Sequence, residues 1–86
     1  MTLRLAEHVS MTTTEDGAVL LDERTGRYWQ LNATGSVVLH TLLEGGDQEA
    51  AVRLLLAGAD ADSATVGVDV AEVVEHLCST GLAVRR

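Results

Sequence analysis

The 86 residues predict an α+β fold of winged helix-turn-helix-like type, with a three-stranded antiparallel sheet followed by three helices. Three observations carry that expectation. Apolar and polar residues alternate through the first third of the chain, and Asp16-Gly17 and Arg24-Thr25-Gly26 interrupt them as short turns do. From Asn32 onward apolar residues recur at helical spacing, with capping side chains before each run and glycines after the first and last. The sheet comes first and the helices after it, which is an α+β order. The length allows one domain, residues 1–86, with a modest core and no room for a separate catalytic domain.

In the first strand Leu3, Leu5, Val9 and Met11 fall on odd positions and Arg4, His8, Ser10 and Thr12 on even ones, a period of two that fits one strand or two pieces of one. His8 then takes a solvated strand position. The second strand, residues 18–22, has apolar residues on both parities, so neither face is expected to be fully wet. Gly26 supplies the positive φ that a short hairpin loop commonly needs, and residues 27–31 form the third strand. That strand carries the only two aromatic side chains of the chain, Tyr28 and Trp29. Neighbouring strand residues face opposite sides of a sheet, so one of the two points away from whatever core the other joins. The simplest topology is a meander, which leaves the third strand at an edge. Residues 28–31 have no charge to blunt it, and the chain has no proline. Two readings remain open: a helix or loop covers the edge, or an extended peptide pairs with it.

Asn32 or Thr34 caps a first helix bearing Val37, Val38, Leu39, Leu42 and Leu43, which Gly45-Gly46 ends. Asp47 starts a second helix with Ala50, Ala51, Leu54 and Leu55 as its buried stripe and Gly58 near its end. Residues 59–67 are small and polar and read as a loop. A third helix spans 69–80, capped by Asp69, with Val70, Val74 and Leu77 as its stripe and Gly81 as its stop. Asp69, Val73, His76 and Thr80 form a flanking strip suited to the rim of a groove. Leu82 and Val84 return to strand-like spacing. His40 stands without a second ligand at metal spacing and reads as a partly exposed surface residue, and no cofactor or metal site is expected.

The net charge of −7 removes the basic footprint that nucleic-acid binding requires. Helix 69–80 carries Asp69, Glu72 and Glu75 with no Lys or Arg, which argues against a DNA-reading helix. One cysteine, Cys78, permits no disulfide within the chain and fits a reducing cytoplasm, and no apolar run is long enough to span a bilayer. Catalysis finds little support: Cys78 sits in an apolar helix pattern, and Ser63 has no evident base. A small acidic acyl or peptidyl carrier modified at Ser63 is the alternative reading, on size, charge and the Asp62-Ser63 pair. Against it stand Ala64, where an apolar Leu or Met is expected, and strands where a carrier has a helix.

The run DGAVLLDERTGRYWQLN, then two helices, then DVAEVVEHLCSTGL, resembles the PqqD-like proteins, most closely the stand-alone versions of lasso-peptide clusters. The resemblance extends over residues 7–82. It implies a non-catalytic recognition element that binds the leader of a ribosomally made precursor peptide and delivers it to modifying enzymes. The implied partners are that leader, a leader peptidase of the transglutaminase-like cysteine protease type, and a cyclase. The leader is implied to add as a strand beside the third strand, in the cleft with the third helix. Backbone pairing then falls to Arg27, Tyr28, Trp29, Gln30 and Leu31. The side chains facing the leader are Tyr28 or Trp29, with Asp69, Val73, His76 and Leu77. Asp69 either pairs with a basic leader residue or caps its helix, and His76 either faces the leader or is solvated. A free edge also permits a monomer or a weak strand-edge dimer.

Overall fold

Asp22 closes the hairpin on which the fold is built. Its carboxylate Oδ1 accepts the N–H groups of Arg24 (3.0 Å) and Thr25 (3.4 Å), an Asx-type turn, while Gly26 at φ +77° reverses the chain. The flanking strands are β3 (Gly17–Asp22) and β4 (Tyr28–Asn32), paired antiparallel with Leu20 opposite Trp29 and Ala18 opposite Leu31. The computed structural model describes residues 3–57 and 62–85. Within it β2 (Val9–Thr14) pairs with the other side of β3, giving the order β2-β3-β4, and β1 (Leu3–Leu5) pairs with β5 (Ala83–Arg85) in a separate two-stranded ribbon. The three-stranded meander is therefore as expected. The first expected strand is two pieces, and the second piece joins the meander.

His8 departs from expectation. It lies in the turn before β2, half-buried, with Nε2 3.3 Å from the Arg24 guanidinium and 3.8 Å from the Asp22 carboxylate. The strand break between Leu5 and Val9 takes it out of the alternation that the sequence implied. Asp22 is 7% exposed. Burial pushes its carboxyl up, but the backbone N–H groups of Arg24 and Thr25 and the nearby His8 outweigh this and hold it below 3.8.

Asn32 ends β4 and begins α1 (Ala33–Leu43), its Oδ1 accepting the Gly35 N–H at 2.8 Å. Asp47 does the same for α2 (Gln48–Leu56) through Ala50, also at 2.8 Å. The stripe of α2 is rotated from the expected one. Ala51 is buried and Val52 and Leu55 pack on the core, whereas Leu54 is 57% exposed. The helical period permits either setting, and packing against α1 and α3 selects between them. Gly58 and the first part of the expected loop, 59–61, lie outside the described residues.

The third helix is longer than expected. α3 runs Ser63–Ser79 with Asp62 as its cap, accepting from the Ala64 N–H and the Thr65 hydroxyl. Asp69 is therefore inside the helix and caps nothing. Ser63, Thr65, Val66 and Gly67, of low helix propensity, hide this first turn and a half in the sequence, while Val66 packing on the core holds it. At the far end the Thr80 hydroxyl bonds to the carbonyls of His76 and Leu77, and the Leu82 N–H returns to Leu77.

The core lies between the inner face of the sheet and the helices. Leu20, Val38, Leu39, Leu42, Val70, Val74 and Leu77 are fully buried there, and Leu3 and Leu82 of the terminal segments join them. The outer face of the sheet is more open than the mixed pattern of β3 implied, since Leu21 and its cross-strand neighbour Tyr28 are both exposed. Among the described residues no helix is long and apolar enough to cross a membrane.

Candidate functional site

Strand register decides which aromatic side chain looks inward. Trp29 lies opposite the buried Leu20 and packs on the core, whereas Tyr28, opposite Leu21, is 71% exposed on the outer face. Leu31 shares the face of Trp29, and Gln30 shares that of Tyr28. One close approach supports this register. Gly17 faces Asn32 at φ +157°, and a Cβ there would lie 1.9 Å from the Leu31 carbonyl oxygen. Only glycine lets the end of β4 lie against β3.

Among the described residues no strand lies beyond β4, and α3 faces the end of β4. Between them is a groove of about 390 Å³ lined by Leu31, Asn32 and Thr34 on one side and by Asp69, Glu72, Val73, His76 and Leu77 on the other. Its floor is apolar: Leu77 is fully buried, and Val73 and Leu31 are half-buried against the core. Its α3 wall is polar and exposed, with Asp69, Glu72 and His76. A free strand edge beside an apolar floor can pair with an extended peptide through its backbone and take up the peptide's alternate side chains in the groove.

Asp69, Val73, His76, Leu77 and Leu31 thus line one groove. Tyr28, Trp29 and Gln30 lie along β4 and Arg27 just before it rather than in the expected strand 27–31; none of the four lines the groove, and the Arg27 guanidinium sits over the Trp29 ring, 5.5 Å from its centroid. Thr80, placed on the rim by spacing alone, caps the helix instead. Three lining residues escaped the sequence reading: Asn32, Thr34 and Glu72. Glu72 carries a signal that could have found it, since it lies three residues after Asp69 and therefore on the same flank. Asn32 and Thr34 were weighed only as caps.

The remaining chemistry-bearing residues are scattered. Cys78 packs partly against the core, Ser63 is the exposed first residue of α3, and His40 bonds to the Thr13 hydroxyl at 3.3 Å. Among the described residues no group of three or more His, Cys, Asp or Glu is placed to hold a metal ion.

The family described as coenzyme PQQ synthesis protein D (PqqD) matches residues 17–83. Among solved structures, one described as lasso peptide synthetase B1 complexed with the leader peptide is 32% identical, with a TM-score of 0.90 over 99% of this chain and 100% of that one. Another, described as TbiB1 in complex with the TbiA(beta) leader peptide, is 30% identical, with a TM-score of 0.81 over 93% of each chain. No curated protein matches. A carrier reading of Ser63 finds no support in these likenesses or in a chain whose first third is strands.

Proposed function

The chain belongs to the PqqD family, and on that premise we propose that it is a non-catalytic recognition element for the leader of a lasso precursor peptide. The single observation that carries this reading is the unpaired edge of β4 facing α3 across an apolar-floored groove. Similarity to two chains described in complex with leader peptides supports it. The leader adds as a fourth strand beside residues 28–31. Its inward side chains enter the groove over Leu31, Val73 and Leu77, with Trp29 on the same face, and its outward ones lie beside Tyr28 and Gln30. Arg27 holds the Trp29 ring at the entry to the strand.

Backbone pairing fixes the peptide without reading its sequence, so specificity resides in the groove. Burying two apolar leader side chains at roughly 25 cal/mol per Å², against the cost of ordering a flexible segment, gives affinity in about the micromolar range. Leader bound along one edge leaves the rest of the precursor free for a leader peptidase of the transglutaminase-like cysteine protease type and for a cyclase, the enzymes to which this chain delivers it.

The test is a titration with the leader of the precursor encoded beside this chain, followed by Trp29 fluorescence and by anisotropy of the labelled peptide. Saturable binding is expected, with slowed amide exchange at residues 28–32. Val73→Glu, which puts a charge on the groove floor, should weaken binding by at least about 30-fold while the far-ultraviolet circular dichroism stays unchanged. A leader that binds equally well to Val73→Glu, or that protects no amide of β4, would overturn the reading.

A further inference from the structure

Three ionisable side chains meet where β3 turns into β4, at the end of β4 opposite the groove. His8, in the turn before β2, is held there by its own backbone, because its carbonyl accepts the Glu23 N–H at 2.7 Å. Its half-buried imidazole stays against the hairpin turn. Nε2 lies 3.3 Å from a terminal guanidinium nitrogen of Arg24 and 3.8 Å from Oδ2 of Asp22. One ring nitrogen thus has two rival partners. It can serve Arg24 only as a bare lone pair and Asp22 only as an N–H. We infer that His8 is a proton-driven switch in this turn: neutral, it accepts from the Arg24 guanidinium, and protonated, it donates to the Asp22 carboxylate and releases Arg24.

The distances correspond to the first state, with a hydrogen bond to Arg24 and a gap to Asp22 that is too long for one. Asp22 is fixed in both states. Its Oδ1 holds the N–H groups of Arg24 and Thr25, and its own N–H and carbonyl bond to Arg27 and Gly26. The Arg24 side chain is exposed and has no carboxylate within ion-pair distance among the described residues, so it is the partner that can move. Protonation sets two cations side by side and places a cation against a nearly buried carboxylate, and both effects favour the exchange. The other charges around His8 are Glu7 in its own turn and Glu23 beside Asp22, both exposed and neither in an ion pair, while Arg27 is turned over the Trp29 ring. Histidine changes charge between about pH 5 and 8, well above the acid loss of the Asp22 carboxylate. The output is a guanidinium freed beside the first residues of β4, with the backbone of the turn unchanged, whether or not the chain binds a leader.

The experiment is a nuclear magnetic resonance titration of the full chain from about pH 8 to about pH 5, following the His8 ring, the Arg24 guanidinium and the Asp22 carboxyl carbon. The Arg24 and Asp22 signals should move with the midpoint of His8, and His40 and His76 serve as internal references. Arg24→Gln removes the rival cation and should raise the His8 midpoint by about half a pH unit or more. Asp22→Asn keeps an acceptor oxygen for the turn and should lower it by a similar amount, with His40 and His76 unmoved in both variants. His8→Gln should leave the Arg24 and Asp22 signals flat over this range. Arg24 and Asp22 signals that stay flat while His8 titrates in the parent protein, or a His8 midpoint that the two variants leave in place or shift in the same direction, would sink the switch. The parent titration needs no substitution, so a variant that fails to fold leaves it decisive.

Discussion

The sheet has two edges, β2 and β4, and they differ in what accompanies the free backbone. β2 ends in Thr12, Thr13 and Thr14, all exposed, and Thr13 is tied to His40 of α1. β4 directs Trp29 and Leu31 toward the helices and faces α3 across the groove. Both edges lack proline and charge, so backbone availability alone does not separate them. The difference lies in the side chains and the neighbouring helix: β4 offers an apolar floor that can distinguish one peptide from another, and β2 presents hydroxyls to water. A recognition edge needs both parts.

The sharpest way to break this contrast is Gly17→Ala. The added Cβ collides with the Leu31 carbonyl, and the positive φ is strained for alanine, so the change should cost more than about 3 kcal/mol. Hydrogen exchange should show faster amides in β4 before those of β2, because the clash lies on the β4 side. Equal loosening of both strands would mean that the close approach does not hold β4 in place.

A smaller effect is expected at the junction of edge and helix. Asn32→Ala removes the α1 cap and should lower stability by about 1 kcal/mol in urea unfolding. Since Asn32 also borders the groove, leader affinity should fall with it, whereas Asp47→Ala, the equivalent cap on α2, should cost similar stability with no change in affinity.

The turn that sets β4 against β3 is sensitive to acid. Asp22 has a folded-state pKa below its ordinary 3.8, so its contribution is fully present above that value and is lost as pH falls through the folded pKa. Thermal melts between neutral pH and pH 2 should show a drop at the acid end that is smaller in Asp22→Asn. An unchanged acid limb in the variant would remove Asp22 from the account.

The smallest effect is expected at Tyr28. It points away from the groove, so Tyr28→Ala should change stability and leader binding by within about 0.5 kcal/mol each. A large loss of affinity would place the leader's specificity on the outer face of the sheet and reverse the comparison between the two edges.

Local chemistry was legible in the chain itself. The turn glycine Gly26 and the caps Asn32 and Asp47 act on residues a few positions away, so a short window contains their partners. The alternation around Tyr28 and Trp29 likewise shows that they face opposite sides. Tertiary structure decided what depends on distant partners. The pairing of Gly17 with Asn32 and of Leu20 with Trp29 turned Trp29 inward. β1 found its partner in β5, from the opposite end of the described chain, which no local pattern reveals. Packing carried α3 back to Ser63 through residues of weak propensity, and so changed Asp69 from a cap into part of a groove wall. Propensity and capping are short-range energies, whereas register, helix rotation and the meeting of α3 with β4 are set by burial of apolar surface across the whole fold.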